Sequence, residues 1–448
     1  MWYTAGSLLI RGVSILTAPV FTRLLLPEQY STFSVFLVWA TLLSMLCSLY
    51  VHGAIPAAHA HLHAQGRWPA FLSSMYTQAA AGFAVSAVVL WCFQDTFARL
   101  LQIDAALLPL LLLYSFVQFG INAYLAALAQ EKRQHRYFLL SLLVMAASIG
   151  LSLYLVITME DKLQGRLYGQ VLPAALIGVV LYARVLLRGR SFFVWEYWRL
   201  SLTVALPLLF QAVFFLLPTQ SNRVMLIAYG NADMAGIYSV AFMVCAVLED
   251  ILMAFNMSWV PMYYDLLKAG RNEQAGAQSR RYAGTMTMLT LGFMLVSPEV
   301  YRALTAPAYH VGTPLLVWIA AAAYVRFLIN FLLNYLLYNK RTGWTVPASI
   351  AALCVNIGGN ALLIPRMGGT GAALSTIAAY LVLAGVLWWA ARRHAPMPHR
   401  LPIGGAALVV PCIAFCLLTQ QLWWARWLAA AVCGIMLLRQ VVRNRGFF

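Results

Sequence analysis

Long apolar stretches alternate with short polar ones along the whole chain. A membrane-crossing helix needs about 20 mostly apolar residues, and fourteen stretches reach or approach that length. They lie at about residues 4–22, 33–55, 70–93, 106–128, 137–158, 166–187, 201–220, 236–258, 283–298, 313–338, 344–364, 370–391, 401–419 and 423–441. The stretch at 283–298 is short, and Pro207 and Pro218 interrupt the seventh one. The pattern predicts an all-α integral membrane protein with about fourteen transmembrane helices.

The composition agrees with this pattern and excludes a soluble globular protein. Of the 448 residues, 62% are hydrophobic and 10% are charged, whereas soluble domains carry about 25% charged residues. The seven cysteines lie in apolar stretches without a CxxC pair, which indicates neither a disulfide framework nor a zinc site. We interpret His59, His61 and His63 as part of a solvated loop rather than a metal site. The chain has no GxxxxGK(S/T), HExxH or GxSxG motif, so we expect neither a cofactor nor enzyme activity.

The distribution of charge predicts the orientation of the chain. The 30 basic residues outnumber the 13 acidic residues and give a net charge of +17. With the N-terminus in the cytoplasm, 20 of the basic residues fall in cytoplasmic segments and eight on the opposite side. Cytoplasmic loops of membrane proteins are enriched in Lys and Arg, so the pattern predicts that both termini are cytoplasmic. The charge therefore reflects orientation in the lipid bilayer, and we expect no nucleic-acid partner.

An internal repeat relates two parts of the chain by a shift of 208 residues. The matched positions include Asn122 with Asn330, Leu125 with Leu333, Lys132 with Lys340, Arg133 with Arg341 and Ser141 with Ser349. Six predicted spans separate the copies, and an even number preserves orientation across the membrane. The repeat predicts two six-helix lobes with a central cavity, at residues 1–190 and 191–395. The two helices within 396–448 would then be an appendage.

Polar side chains recur at helical spacing inside two predicted spans. Arg326, Asn330 and Asn334 are four residues apart in the tenth span, so each lies about 40° around the helix from the one before. Gln118 and Asn122 form a shorter stripe in the fourth span, and the repeat aligns Gln118 with Arg326. Polar groups at membrane depth usually face a bundle interior or a watery cavity. We therefore predict that these five residues bind substrate.

Further charged side chains lie inside the first and eighth spans. Arg11 lies in the first span, and Glu249 and Asp250 are adjacent in the eighth. One interpretation is an ion pair of a carboxylate with Arg11 or Arg326 that locks helices together. The other is a cationic cavity for an anionic lipid headgroup, in which one carboxylate titrates or pairs during transport. Adjacent residues point about 100° apart, and we favour Glu249 because Asn256 shares its face.

Three segments resemble motifs of one family of membrane proteins. They are TRLLLPEQYSTFSV at 22–35, GIYSVAF at 236–242 and NALLIPRMGGTGAALST at 360–376. The third is the most specific, and in the first Ser31 stands where glycine is usual. The family is the polysaccharide flippases of the O-antigen repeat-unit type, within the multidrug/oligosaccharidyl-lipid/polysaccharide exporter superfamily. Together with the span pattern, the resemblance covers nearly the whole chain.

The resemblance implies a fold, a substrate and a location. The fold is two six-helix lobes that form a V and open alternately to each side of the membrane. The substrate is an undecaprenyl-diphosphate-linked oligosaccharide repeat unit, moved from the cytoplasmic to the periplasmic leaflet of the bacterial inner membrane. Coupling to protons or sodium is reported for relatives, and a polysaccharide polymerase with chain-length machinery would be partners in lipopolysaccharide or exopolysaccharide synthesis. These motifs are structural and identify no sugar-binding residue.

Three alternatives remain open at this point. A lipid II flippase would share the fold and the cationic cavity. A multidrug exporter of the same superfamily would favour an acidic, aromatic cavity, and two central arginines argue against it. A membrane-embedded polymerase or ligase would need a large external loop and a catalytic constellation, whereas the longest external loop predicted here is only about 299–312.

Overall fold

The computed structural model describes residues 17–394, 403–419 and 422–443. Every regular element in these ranges is a helix, and no strand occurs among them, which confirms the predicted all-α class. The chain divides into two compact units, with the boundary between Ala228 and Tyr229. The lobe boundaries at residues 190 and 395 come from the repeat and stay predictions.

The described part of the first unit contains a helical segment at 17–24 and eight further helices. These are α1 (Pro27–Cys47), α2 (Ile55–Leu62), α3 (Trp68–Cys92), α4 (Gln94–Leu101), α5 (Leu108–Gln130), α6 (Gln134–Thr158), α7 (Lys162–Gly189) and α8 (Trp195–Ala228). A proline lies in the first turn of α1, α2, α3 and α5. Its missing N–H is harmless there, because the first amides of a helix have no intrahelical partner.

The described part of the second unit contains six helices. These are α9 (Ala232–Lys268), α10 (Asn272–Leu304), α11 (Leu315–Tyr338), α12 (Thr345–His394), α13 (Ala406–Leu418) and α14 (Trp423–Arg443). Short 3-10 turns at Pro307–Gly312 and Thr342–Trp344 precede α11 and α12.

Eight helices in the described ranges are long and apolar enough to cross a membrane. Large apolar side chains such as Trp91, Leu176 and Val180 are exposed on the outside of the protein. Water-exposed surfaces of this kind are unfavourable, whereas lipid chains accommodate them. The chain is therefore a multi-pass membrane protein, and the total of fourteen spans stays a prediction.

Helix α12 consists of two halves that fold back on each other. Gly368 has a φ of 54° and a ψ of −130°, a conformation that side chains with a Cβ rarely adopt. Asn356 in the first half donates from Nδ2 to Thr376 Oγ1 in the second half at 3.4 Å. The break separates the predicted spans 344–364 and 370–391.

Polar contacts attach the beginning of α8 to α3 in the first unit. Arg67, just before α3, pairs with Glu196 of α8 at 2.7 Å between Nη2 and Oε2. One turn further along, the Ser201 hydroxyl donates to Gln78 Oε1 at 2.6 Å. Helix α8 is therefore held in the first compact unit.

Aromatic packing fixes α9, α10 and α11 in the second unit. Trp259 of α9 stacks on Tyr263 and on Tyr282 of α10, with ring centroids 4.5 and 5.0 Å apart. Phe331 of α11 contacts Trp259 edge-on at 5.0 Å. All four side chains are buried, and aromatic groups of this size dominate the energetics of a core. The cluster holds α9 beside α11.

Helix α14 packs along α10 within the second unit. Arg426 of α14 is 1% exposed and pairs with Glu299 of α10. At the other end of α14, Gln440 donates from Nε2 to the Arg281 carbonyl and to Thr285 Oγ1, both at 3.2 Å. Polar contacts near both ends of α14 therefore fasten it to α10.

Candidate functional site

Arg326 of α11 and Glu249 of α9 form an ion pair in the second unit. Arg326 Nη1 donates to Glu249 Oε2 at 3.3 Å. The side chains keep 38% and 22% of their surface exposed, so the pair is only partly shielded. Each residue lies near the middle of its helix. Pairing of Glu249 with Arg326 was one of the two interpretations left open by the sequence.

Asp250 and Tyr380 also interact with Arg326. Asp250 lies within electrostatic range of the guanidinium, and Tyr380 in the second half of α12 is a hydrogen-bonding neighbour. In the part of the chain that the structure describes, Arg326 thus faces two carboxylates and one phenol. The predicted cationic character of the site depends on Arg11, which lies outside the described residues.

An amide pair joins the same two helices two turns further along. Asn334 of α11 donates from Nδ2 to Asn256 Oδ1 of α9 at 3.1 Å, and both side chains are buried. The Tyr264 hydroxyl donates to the Asn334 carbonyl at 2.9 Å. Asn330 lies between Arg326 and Asn334 along α11 and is half-buried. The predicted polar stripe of α11 is therefore present, and its two ends contact α9.

The predicted polar residues of the first unit lie on α5. Gln118 is half-buried, and its Oε1 atom is buried without a hydrogen-bond partner among the described residues. Asn122, one turn later, is exposed. A buried carbonyl oxygen without a donor is uncommon in native structures. Gln118 therefore has a free acceptor for a polar ligand, and Asn122 is accessible from outside the unit.

Two polar features inside the helices were not predicted. Asn356, Asn360, Ser375 and Thr376 are at most 5% exposed between the two halves of α12. The spacing of four between Asn356 and Asn360 in an apolar stretch is the signal that could have identified this cluster. The second feature is Arg166 of α7, whose guanidinium lies against aromatic rings in the first unit.

His59 and His63 lie close together at the end of α2. Their rings stack with centroids 4.4 Å apart. Burial lowers the pKa of His59, His63 acts in the same direction, and Glu131 opposes both. Among the described residues, no group of three His, Cys, Asp or Glu side chains is placed to hold a metal ion. A coupling proton or sodium ion stays a prediction for this chain.

The sequence matches the model of a known protein family. A family described as polysaccharide biosynthesis protein matches residues 1–266 of the chain, which is more than half of its length. No curated protein sequence matches the chain at a significant level.

The fold is similar to that of several solved transporters. The lipid II flippase MurJ, in an inward closed conformation, aligns with a TM-score of 0.71 over 99% of both chains at 12% identity. An inward-facing multidrug resistance MATE family transporter of the MOP superfamily aligns with a TM-score of 0.67 over 90% of this chain and 98% of that one, at 12% identity. A MOP superfamily transporter from Pyrococcus furiosus, whose binding pocket has reverse polarity, aligns with a TM-score of 0.59 over 89% and 96%, also at 12% identity. At such identities the likeness establishes the fold alone.

Proposed function

The chain belongs to the polysaccharide biosynthesis protein family, and from this membership we propose that it is a lipid-linked oligosaccharide flippase. It moves an undecaprenyl-diphosphate-linked repeat unit from the cytoplasmic to the periplasmic leaflet of the bacterial inner membrane by alternating access. The membrane-crossing helices and the MOP transporter fold support transport, rather than catalysis, as the activity. The observation that carries the proposal is the guanidinium of Arg326, held by Glu249 midway along such helices.

Arg326 is the candidate contact for the diphosphate of the substrate. The headgroup carries about two negative charges, and moving it bare into hydrocarbon would cost of the order of tens of kcal/mol. A guanidinium replaces part of the lost hydration through two parallel hydrogen bonds to phosphate oxygens. Arg11 is the candidate for the second cation. The candidate hydrogen-bonding groups for the polar headgroup are Asn330, Asn334, Gln118 and Asn122.

Glu249 compensates the charge of Arg326 when no substrate is bound. The contact between the two side chains supports this role. The diphosphate competes with Glu249 for Arg326, and the displaced carboxylate takes up a proton or another cation, which couples transport to that ion. Asp250 is the second candidate for coupling because it also lies near Arg326.

The ion pair is most important in the step in which the protein, without substrate, returns its binding site to the cytoplasmic side. Moving two negative charges outward is favoured by roughly 4–5 kcal/mol at a membrane potential of 100 mV, negative inside. The loaded step therefore has an electrical driving force. The return step has no substrate to compensate Arg326, and an unpaired guanidinium inside the membrane is costly. Pairing with Glu249 removes most of that cost.

Flipping of a labelled substrate by the full-length protein in proteoliposomes tests the proposal. Fluorescent undecaprenyl-diphosphate oligosaccharide is placed in both leaflets, and its accessibility to an impermeant quencher is followed with time. We expect protein-dependent flipping that is lost in Arg326→Ala and retained in Arg280→Ala, a control at an exposed position of α10. Flipping of lipid II alone would identify a lipid II flippase, and uptake of ethidium alone would identify a multidrug exporter. Either result contradicts the proposed substrate.

A further inference from the structure

The guanidinium of Arg166 in α7 is enclosed by two aromatic rings of the first unit. Its Cζ atom lies 3.8 Å from the ring centroid of Phe21 and 4.4 Å from that of Phe33. Both rings are only 3% exposed, so they are fixed walls rather than mobile surface groups. Cation–π contact with desolvated rings stabilises a guanidinium. These contacts hold Arg166 in one place but offer its N–H groups no hydrogen-bond acceptor, since an aromatic ring carries none.

Two nitrogens of Arg166 have no hydrogen-bond partner among the described residues. Nε and Nη1 have almost no exposed surface, and neither donates to an acceptor within residues 17–394, 403–419 or 422–443. The electrostatic neighbours of the guanidinium in these ranges are the hydroxyl groups of Tyr30 and Tyr114, not a carboxylate. A buried cation is normally paired, because burial without compensation is costly. Nε and Nη1 are therefore donors available to an anionic ligand.

Arg223 of α8 brings a second guanidinium to the same place. Tyr30 of α1 experiences the charge of both Arg166 and Arg223, so both cations lie near its hydroxyl. Gln170, one turn after Arg166, donates from Nε2 to the Tyr114 hydroxyl at 3.0 Å and positions Tyr114 of α5. Two cations and three uncharged polar groups from four helices therefore gather within the first unit.

We propose that Arg166, Arg223 and Tyr30 form an anion-binding station for the diphosphate of the transported lipid, separate from Arg326. Guanidinium groups bind phosphate oxygens through parallel hydrogen bonds, and a phenol adds a further donor. The station contains two guanidinium groups, whereas the charge of Arg326 is opposed by the two carboxylates beside it. The inference rests on the proposed function, because the ligand is the headgroup of that substrate.

The station acts in the release step. Arg166 lies in the second turn of α7, and the predicted topology places the beginning of this helix on the periplasmic side. The station is closed in the conformation described, since Phe21 and Phe33 are buried and two guanidinium nitrogens have almost no exposed surface. Opening toward the periplasm exposes Arg166, which then binds the diphosphate before the lipid enters the outer leaflet.

Matched variants separate a binding role from a packing role. Arg166→Met keeps an unbranched side chain between Phe21 and Phe33 but removes the charge. Arg166→Lys keeps the charge but not the planar fork that binds two phosphate oxygens. Arg99→Met is the control, because Arg99 is exposed and lies on the same predicted side of the membrane.

Binding is measured on the purified full-length protein in nanodiscs with two probes, undecaprenyl diphosphate and inorganic pyrophosphate. The variants are made in the Arg326→Ala background, so that the remaining binding reports on the station. We expect about tenfold weaker binding of both probes in Arg166→Met, a smaller loss in Arg166→Lys and no change in Arg99→Met. Unchanged pyrophosphate binding with weaker binding of the lipid would identify a contact to the lipid tail and overturn the anion station.

Flipping by the same single variants, with Arg326 intact, separates failure of this inference from failure of the proposed function. If the wild type flips the lipid and Arg166→Met flips and binds equally well, Arg166 is a packing residue and the flippase proposal stands. If the wild type does not flip the lipid, the proposed function fails, while weaker pyrophosphate binding in Arg166→Met still supports an anion site. If Arg166→Met does not accumulate in cells, Arg166→Lys is used for the test instead. Binding and flipping at the wild-type level in Arg166→Lys would then show that a guanidinium is not needed at this position.

Discussion

Lys132 and Lys340 adopt the same left-handed backbone conformation, with a φ of 56° in both, at positions related by the 208-residue shift. Each ends a helix in the same way, because the amide of the following arginine donates to a carbonyl five residues back. These bonds are Arg133 N to Leu128 O at 3.0 Å and Arg341 N to Leu336 O at 2.8 Å. Such bonds satisfy carbonyl groups that a helix end leaves open. The turn geometry therefore agrees with the internal repeat.

The two lysines store backbone strain that glycine would relieve. A left-handed conformation costs a residue with a Cβ roughly 1–2 kcal/mol, and part of this gain is offset by the greater freedom of glycine in the unfolded chain. We expect Lys132→Gly and Lys340→Gly each to raise the free energy of unfolding by about 0.5–1 kcal/mol. Gly270→Ala tests the reverse change, and we expect it to lower the free energy of unfolding. Gly270 has a φ of 70° and open space around its Cα, so strain of the backbone is the main effect. Unfolding in detergent measures all three, and unchanged melting temperatures would contradict the argument.

The fold was predictable where local chemistry decides the structure. Apolar stretches predicted the membrane-crossing helices, because the bilayer sets the length of apolar helix that is needed. The break at Gly368 falls between two predicted spans for the local reason that glycine tolerates its positive φ. Gly66 and Gly270, with φ of 68° and 70°, end helical segments for the same local reason.

The candidate site was only partly predictable, because its contacts join distant segments. Glu249 and Arg326 are 77 residues apart, and spacing within one helix does not decide which arginine a carboxylate meets. Arg166 lies near the end of an apolar stretch, where a charge is ordinarily interfacial. Its burial depends on Phe21 and Phe33, which come from earlier segments of the chain. Packing of this kind is visible only in three dimensions.

The ion pair of the buried Arg426 and the half-buried Glu299 is expected to contribute strongly to the attachment of α14 to α10. Arg426→Leu leaves the Glu299 carboxylate without its main partner, so we expect a loss of about 3–5 kcal/mol in the free energy of unfolding. Replacing both residues with leucine should recover most of this loss, since an apolar pair needs no charge compensation. Thermal unfolding of the single and double variants measures the coupling. If the stability loss of the double variant equals the sum of the losses in Arg426→Leu and Glu299→Leu, the pair does not fasten α14.

The surroundings of His59 predict that the first unit loses stability at acidic pH. Burial lowers the pKa of His59, and the nearby His63 acts in the same direction. The folded state therefore favours the neutral imidazole, so its stabilisation is present above the ordinary His pKa of about 6.5 and is lost as the pH falls below that value. We expect His59→Gln to reduce the fall in melting temperature at acidic pH. His61→Gln, at an exposed position, is the control, and equal acid sensitivity in wild type and His59→Gln would contradict the assignment.

Arg326 and Glu249 give the prediction tied most directly to transport. We expect Arg326→Ala and Glu249→Gln each to lower the rate of flipping about tenfold or more, which corresponds to ~1.4 kcal/mol or more in the barrier. Arg326→Ala removes the proposed phosphate contact, and Glu249→Gln removes the charge that compensates the empty site. Asp250→Asn should have a smaller effect, since the direct hydrogen bond to Arg326 comes from Glu249. Proteoliposome flipping rates at matched protein amounts provide the measurement.

The double variant Arg326→Gln/Glu249→Gln separates a structural ion pair from a transport site. It removes both charges together, so neither side chain is left as an unpaired ion inside the membrane, and the thermal stability should stay near that of the wild type. Transport should remain low, because no guanidinium is left at this position to bind the diphosphate. Recovery of transport in the double variant would mean that the pair only holds α9 and α11 together. The same conclusion would follow if Arg326→Ala and Glu249→Gln each flipped the lipid at the wild-type rate.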